Sequence, residues 1–433
     1  MSSFFASFFE KVAQIGLATT APPGKNTGGR PPRMSRQHLI AGLAWHVMQP
    51  AGTFAHSIFM ALGIQMSESA LSERRQSLGS KPWIAMLETF LKPHATPAAA
   101  PQAFYHGYRL IGIDGTTQNV ANTPPMKATT TKTKTRKGRA AFTRIGCVAT
   151  VELGTHTPIA VRIGENGEPE GVLAAAIADT FRTNDLVIGD RYYGNGKWAA
   201  RLLGIPQQPK FLLRVREYLK EREVKKCRDG SIIVLIKDPD SGKDIQLRQI
   251  KARVRRIHGK KQWVNVRFWT NLMDPVLYPA KDLVMLYLVR WEQEIAFYEF
   301  KEYLHGENLL LSHTMVTAVQ EICALFMAQS IIAKSRLSAA NSQNIPVLQI
   351  SFKKTLDACR NMSWLMAIAG KIMSKRTILM IAKAVEKSLG MQASKPRRHR
   401  SCPRKVRQPI NKWHRLFRNR YNKGKFTYEI RKS

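Results

Sequence analysis

The sequence is poor in acidic residues and in cysteine, and it has no uninterrupted run of 18 apolar residues. It contains 30 Asp and Glu against 68 Lys and Arg. Without a long apolar run we expect no transmembrane helix and no membrane partner. The five cysteines are scattered and lack the paired spacing of zinc ligands. This usage is typical of a reducing cytoplasm and argues against a zinc site.

The excess of basic residues is the strongest feature of the composition. The formal net charge is +38 at pH 7. Such a charge is costly in self-repulsion unless a polyanion neutralises it, so we expect nucleic acid as the partner. An anionic membrane surface is the alternative, but no lipidation signal is evident. Apolar residues make up 44% of the chain, which is ordinary for a folded protein.

The chain divides by composition and periodicity into six segments, two of which form one catalytic domain. The central order of three strands, helix, strand, helix and strand predicts a mixed α/β sheet with helices on its faces. The segments are a flexible lead-in (1–36), a helical DNA-binding domain (37–100), the first part of the catalytic domain (105–216), a β insertion (217–272), its second part (273–345) and a basic DNA-binding or dimerisation region (346–433).

Two basic features outside the catalytic core suggest DNA contacts. Thr53 and Ser67 are good caps for two short helices separated by Gly63. The second helix carries Arg74 and Arg75, which suits a DNA-binding helix pair, although arginines that simply face water are the alternative. The loop of residues 126–139 is rich in Lys, Arg and Thr. It is either a solvated loop or an arm that grips the DNA backbone.

Two aspartates follow apolar runs that are predicted to be strands. Asp114 comes after residues 109–113, and Asp190 comes after residues 186–189. Functional groups in open α/β sheets gather at the carboxyl ends of strands, so these carboxylates are expected to lie side by side. They would repel one another unless a divalent cation lay between them. Taken singly, each aspartate is more commonly a turn or helix-cap residue.

A long helix is predicted over residues 281–304. At about 100° per residue, one polar face of this helix is formed by Tyr287, Arg290, Glu294 and Lys301. An apolar stripe lies beside that face, whereas Glu292 and Glu299 point elsewhere. A surface helix with a weak Arg–Glu pair at four-residue spacing would give the same pattern. The pattern alone favours neither interpretation.

These motifs resemble those of the DDE transposases of bacterial insertion sequences, in the group with a Tyr-Arg-Glu-Lys signature (insertion-sequence family four). The signature spacing is met by Tyr287, Arg290, Glu294 and Lys301. The first motif is Asp114-Gly-Thr-Thr117, and the second is Gly189-Asp-Arg191. The resemblance covers roughly residues 105–340. One departure is Tyr192, where the family often has Gly.

The resemblance implies a ribonuclease-H-like sheet with a β insertion before the helix that carries the glutamate. It also implies metal-dependent DNA cleavage and strand transfer at terminal inverted repeats. Asp114, Asp190 and Glu294 would be the catalytic metal ligands, and a carboxylate-only set selects Mg²⁺ or Mn²⁺, with two ions expected. The implied partners are transposon-end DNA and target DNA. A homodimer on the DNA is expected, because two ends must be cut together.

The resemblance also suggests DNA-contact residues. Arg290 and Lys301 would hold flanking phosphates, and Tyr287 would donate its hydroxyl to one. Members of the family often stack a flipped base on an aromatic side chain. Trp269 is the first candidate for that role and Trp291 the second, although a buried Trp is the commoner finding.

Two other functions remain open from the sequence. One is a catalytically inactive, sequence-specific DNA-binding protein derived from a transposase. The other is a related ribonuclease-H-fold nuclease that acts on hybrids or junctions. The intact triad argues against the first and the helical end segments against the second. We expect a bacterial cytoplasmic protein associated with the nucleoid.

Overall fold

The computed structural model describes residues 34–49, 52–130, 134–135, 138–139, 141–255, 263–306, 309–369 and 373–394. These residues belong to one compact unit. Most of the predicted lead-in and residues 395–433 of the predicted basic region lie outside the described residues.

Four helices open the described chain: α1 (Arg36–His46), α2 (Phe54–Leu62), α3 (Glu68–Leu78) and α4 (Lys81–Phe90). The side chains of Thr53 and Ser67 cap α2 and α3 by accepting from the backbone N–H three residues on. Gly63 ends α2 in the left-handed conformation, with φ of 68°. The two predicted caps and the predicted break are confirmed.

The central segment supplies most of the sheet. Its elements are β1 (Phe104–Tyr105), β2 (Tyr108–Val120), α5 (Pro124–Thr129), β3 (Lys134–Thr135), β4 (Gly138–Arg139), β5 (Thr143–Glu152), β6 (Thr157–Ile163), α6 (Glu170–Ile177), β7 (Asp185–Gly189), α7 (Gly196–Gly204) and β8 (Lys210–Arg214). In the predicted loop of residues 126–139, α5 covers the start and β3 pairs with β4, while residues 131–133 and 136–137 lie outside the described residues.

The insertion consists of β9 (Arg222–Lys226), β10 (Ile232–Lys237), β11 (Asp244–Arg255) and β12 (Trp263–Thr270). Among the described residues, ten strands form one sheet in the order β6-β5-β2-β7-β8-β12-β11-β10-β9, with β1 paired to β2. Because β12 pairs with β8, the insertion extends the central sheet. Among the described strands of this sheet, the β2–β7 and β7–β8 pairs are parallel and the others are antiparallel, which confirms the mixed sheet predicted from the order of elements.

One predicted boundary is wrong. β2 was expected to end at Asp114, but it continues to Val120. The reason is its antiparallel neighbour, since β5 pairs with β2 from Ile111 to Val120. The parallel neighbour β7 stops at Gly189, so only that side of β2 opens at Asp114.

The remaining elements are helical. They are α8 (Ala280–Leu286), a 3₁₀ turn (Tyr287–Arg290), α9 (Trp291–Tyr298), a π-helical segment (Glu299–Leu304), α10 (Met315–Ser342), α11 (Phe352–Ala369) and α12 (Lys375–Met391). The predicted single helix over residues 281–304 is therefore three kinds of helix in succession. We call the stretch of residues 287–304 the signature segment.

Helix α10 is long and apolar enough to cross a membrane, but 89% of its most apolar window is buried inside the protein. It is the central helix of the core. Polar residues such as Gln320 and Arg336 interrupt its apolar runs, which is why the sequence showed no continuous stretch. One apolar cluster joins Phe326 of α10 to Trp83 of α4, Ile145 of β5 and Leu356 of α11. The N-terminal helices therefore share the core of the sheet.

Arg75 belongs to this helical contact. Its guanidinium donates to Gln320 Oε1 (3.1 Å), Ser312 Oγ (3.1 Å) and the Thr317 carbonyl (2.6 Å). Arg74 makes one bond, to the Met34 carbonyl at 2.8 Å. The structure therefore gives Arg75 an intramolecular role instead of the predicted place on a DNA-binding surface. The DNA-binding role of residues 37–100 stays a prediction.

We expect Arg75→Ala to lower the free energy of unfolding by about 2–3 kcal/mol, because it removes three part-buried guanidinium hydrogen bonds and leaves Gln320 Oε1 without that donor. Arg74→Ala removes the same charge as Arg75→Ala but breaks one guanidinium hydrogen bond within the described residues instead of three, so it should lower the free energy of unfolding by under about 1 kcal/mol. Urea unfolding measures both values. Equal stability of the two variants, with DNA affinity lost only in Arg75→Ala, would restore the DNA-contact interpretation.

Candidate active site

The register of β2 and β7 brings two carboxylates together. The pairing runs from Arg109 opposite Asp185 to Ile113 opposite Gly189, so Asp114 and Asp190 come next on adjacent parallel strands. Asp114 Oδ1 accepts from the Gly115 N–H at 2.9 Å, and Asp190 Oδ1 accepts from the Tyr192 N–H at 2.7 Å. In the described part of the chain, neither carboxylate forms an ion pair.

The electrostatics of Asp114 reflect this crowding. Burial raises the pKa of its carboxyl group to about 7, and the charge of Asp190 contributes further, against a lowering by Arg290. A carboxylate that is difficult to ionise beside a second carboxylate is the environment that a divalent cation relieves. The donor set is oxygen only, which fits a hard cation.

A third carboxylate, Glu170, was missed by sequence reasoning. It is the first residue of α6, and Tyr193 donates its hydroxyl to Glu170 Oε1 at 2.9 Å. A Cβ atom at Gly115 would lie 2.5 Å from Glu170 Cδ, so only glycine lets this carboxyl group approach β2. Glu170 follows no strand and has no motif spacing. Only the tertiary packing of α6 over β2 reveals it.

The signature segment approaches the aspartates from the other face of the sheet. Gln293 of α9 packs against Gly112, where a Cβ atom would lie 2.5 Å from Gln293 Oε1. Gly112 therefore allows close approach of the helix two residues before Asp114. The charge of Asp114 acts on Arg290 and Lys301, and that of Asp190 acts on Tyr287. Three of the four signature residues, Tyr287, Arg290 and Lys301, thus lie within electrostatic reach of the two aspartates.

Glu294 is held differently from the aspartates. Its Oε1 accepts from Arg290 Nη2 at 2.5 Å, and 41% of its side chain is exposed. Among the described residues, no group of three acidic, His or Cys side chains is close enough to hold a metal ion. The structure therefore gathers the two aspartates, while Glu294 is engaged by Arg290.

Two further arginines line the site: Arg191, which the second motif contains but which was given no role, and Arg214, which was missed. Arg214 ends β8, which is parallel to β7, and Arg191 directly follows Asp190. Burial lowers the pKa of Arg214, as do the charges of Arg191 and Arg290, whereas Tyr287 and Asp190 raise it. The sequence signal was present, because Arg214 ends a strand that was correctly predicted beside the strand of Asp190.

The prediction that Trp269 stacks on a flipped base is wrong. Its side chain is buried, at 2% exposure, and its Nε1 donates to Glu221 Oε1 at 2.5 Å. Alternation along β12 turns Trp269 into the apolar cluster that includes Leu213 and Ile236. Trp263, at the start of the same strand, is 49% exposed. The guanidinium carbon of Arg290 lies over the Trp291 ring, 5.0 Å from the ring centroid. The stacking of a flipped base on Trp291 stays a prediction.

We expect Trp269→Ala to destabilise the protein by about 3–5 kcal/mol, because it leaves a cavity in the core. Trp263→Ala on the same strand is the matched control, and it should cost under about 1 kcal/mol. Chemical denaturation separates them. A mild effect of Trp269→Ala on stability, with a large loss of DNA cleavage, would contradict its assignment to the core.

Comparison with known proteins identifies the family. A family model described as the transposase DDE domain matches residues 105–331, more than half of the chain. The transposase InsG for insertion sequence element IS4 of Escherichia coli (strain K12) is 24% identical over 382 residues, which cover 85% of this chain and 84% of that protein. The cryo-EM structure of the piggyBac transposase synaptic complex with hairpin DNA aligns with a TM-score of 0.46 and 11% identity, over 88% of this chain and 83% of that one. The chain belongs to the DDE transposase family, and it is an enzyme that cleaves and joins DNA with divalent metal.

Proposed function

We propose that this transposase cuts and joins the terminal inverted repeats of an insertion sequence with Asp114, Asp190 and Glu294 as its metal ligands. The observation that carries the proposal is the β2–β7 register, which brings the carboxylates of Asp114 and Asp190 side by side, and within the described residues neither of them forms an ion pair. The relation to the transposase of element IS4 supports the choice of substrate.

We propose Mg²⁺ or Mn²⁺ as the cofactor, with two ions as in other carboxylate sites that act on phosphodiesters. Bound cations would activate the attacking hydroxyl group and stabilise the leaving oxygen. Asp114 and Asp190 supply the first ligands. Glu294 completes the set only after it leaves Arg290, because that ion pair occupies its Oε1.

Arg290 is therefore proposed to exchange partners. In the DNA-free protein it neutralises Glu294. When a phosphate enters, the guanidinium can turn to it as a two-pronged donor and release the carboxylate. Lys301 and Arg214 would bind flanking phosphates as further cations. Burial raises the pKa of Tyr287 to about 12, so its hydroxyl stays protonated at neutral pH and can donate to a phosphate oxygen.

The partners follow from the charge and from the relatives. The formal charge of +38 favours duplex DNA, with transposon-end DNA and target DNA as the two substrates. Paired cleavage of two ends requires two active sites, so we propose a homodimer on DNA. The site of action would be the nucleoid in the bacterial cytoplasm.

Removal of any proposed ligand should abolish catalysis but preserve binding. We expect Asp114→Asn, Asp190→Asn and Glu294→Gln each to lower the rate of end cleavage at least about a hundredfold, because each ligand supports a metal worth several kcal/mol. Gel assays with an inverted-repeat duplex and a random duplex measure this rate. Asp282→Asn, on the exposed side of α8, is the control that should cleave normally.

The same variants can be tested without catalysis. Mn²⁺ should raise the melting temperature of wild-type protein, since it binds only the folded state. That rise should vanish in Asp114→Asn and Asp190→Asn and shrink in Glu294→Gln. Normal cleavage by Glu294→Gln would show that Glu294 is not one of the three metal ligands. Equal cleavage of the inverted-repeat duplex and the random duplex by the wild-type protein would favour a general nuclease.

Binding to DNA should depend steeply on salt. With six or more phosphate contacts, affinity should fall by about 10³ or more between roughly 50 and 200 mM monovalent salt. Arg214→Ala should reduce the magnitude of the slope of log affinity against log salt concentration by about 1, the contribution of one phosphate contact. Fluorescence anisotropy in chelator measures both slopes. A flat response would contradict a phosphate-driven interface.

A further inference from the structure

His156 occupies an unusual turn between β5 and β6. Its backbone has φ of 61°, in the left-handed region that non-glycine residues seldom adopt. The side chain is 1% exposed. Gly154, two residues earlier, lies directly against Ala103, where a Cβ atom would come within 2.5 Å of Ala103 Cα. The turn is thus held by its surroundings in a costly conformation, which directs the imidazole inward.

The imidazole ring contacts two carboxylates of the signature segment. Its Nδ1 lies 2.6 Å from Glu299 Oε2, and its Nε2 lies 2.8 Å from Glu292 Oε2. Ionised carboxylates accept but cannot donate, so only an imidazolium can serve both contacts. These two glutamates are the ones that the helical-wheel argument excluded from the catalytic face.

Charge balance supports the same assignment. Glu299 Oε2 also accepts from Arg336 Nη1 at 3.0 Å, and both groups are buried. Arg336 is fixed in turn, because its Nε and Nη2 donate to the Ile350 carbonyl at 3.1 and 2.9 Å. Two carboxylates then face one guanidinium and one imidazolium. Buried ions are tolerated when paired in this way, and loss of one partner is strongly destabilising.

The cluster of His156, Glu292, Glu299 and Arg336, here called the histidine clamp, spans the region where the signature segment changes its helical type. Glu292 lies two residues before Glu294, on α9. Glu299 is the first residue of the π-helical segment that carries Lys301. The π geometry changes the direction of every later side chain, and such segments are frequent at functional sites. The clamp therefore fixes both sides of this change against the sheet.

We propose that His156 is a positioning residue for DNA cleavage, which holds Glu294 and Lys301 in place against the strands that carry Asp114 and Asp190. It touches neither metal nor DNA and acts through Glu292 and Glu299. The proposal rests on the assignment of Glu294 as a metal ligand.

The pH dependence of the clamp can be given a sign. Burial alone would lower the pKa of His156, but Glu299 and Glu292 outweigh it and raise the pKa above its usual value. The groups that face the ring are these two carboxylates from the signature segment, with Arg336 of α10 behind Glu299. Because the pKa of His156 is higher in the folded than in the unfolded protein, protonation of this residue stabilises the fold. The stabilisation is complete below the unfolded pKa, about 6.5, and it is lost as the pH rises through the folded pKa.

The test compares His156→Gln with His106→Gln in the full-length protein. His106 also has a left-handed backbone (φ of 48°), but it is exposed, so it controls for turn strain. We expect His156→Gln to need roughly tenfold more Mn²⁺ for half-maximal cleavage, because the ligands are less well held. DNA binding in chelator should be unchanged. The fall in melting temperature of the wild type between neutral and alkaline pH should be absent from this variant.

Glu292→Gln provides the second variant if His156→Gln fails to fold. It breaks the Nε2 contact and leaves Glu299 in place, on a carboxylate that is 21% exposed, and it should shift the Mn²⁺ requirement in the same direction. In the variant that carries both His156→Gln and Glu292→Gln, the stability losses should not add, because the two substitutions remove the same contact.

The inference is overturned if folded His156→Gln, or Glu292→Gln in its place, cleaves with the Mn²⁺ requirement and the pH profile of wild type while Glu294→Gln is inactive. If Glu294→Gln itself cleaves normally, the proposed triad fails instead. These two failures are therefore distinguishable.

Discussion

The parallel pairing of β2 with β7 is the contact on which the rest of the site depends. A one-residue slip in its register would turn Asp114 or Asp190 to the opposite face of the sheet. The register is fixed from both sides, since β5 pairs with β2 over ten residues and β8 pairs with β7. Two glycines of β2 then admit the neighbours, because Gly112 receives α9 and Gly115 receives Glu170. The site therefore forms at the point where the parallel pairing of β2 and β7 ends, and it needs both strands.

Charge of both signs is distributed unequally over the molecule. The chain as a whole is strongly basic, yet its centre holds the Asp114 carboxyl group, which burial and the charge of Asp190 make difficult to ionise. The surrounding cations, Arg290, Lys301 and Arg214, reduce that repulsion without removing it. A phosphodiester bound with divalent cations balances both kinds of charge, because the metal cations neutralise the carboxylates and the phosphate neutralises the arginines. The DNA-free structure is therefore electrostatically prepared for its substrate.

Sequence reasoning succeeded where the signal was local. Apolar runs and caps predicted the strands of Asp114 and Asp190, the two short helices after Thr53 and Ser67, and the mixed sheet. It failed where tertiary contacts decide. The partner strand carried β2 past Asp114, the alternation along β12 buried Trp269, and packing of α3 on α10 enclosed Arg75. The predicted straight helix could not reveal its 3₁₀ and π parts, which follow from packing on the sheet and from the buried contacts of Glu299. Glu170 and His156 carry no motif at all.

The most direct measurement of the central claim is the position of bound Mn²⁺ in a complex of the full chain with transposon-end DNA. Crystallographic anomalous scattering at the manganese edge locates the ions independently of the protein density. We predict density between the carboxylates of Asp114 and Asp190, with Glu294 turned from Arg290 to complete the coordination. Manganese bound elsewhere, or Glu294 still paired with Arg290 beside an occupied site, would contradict the account.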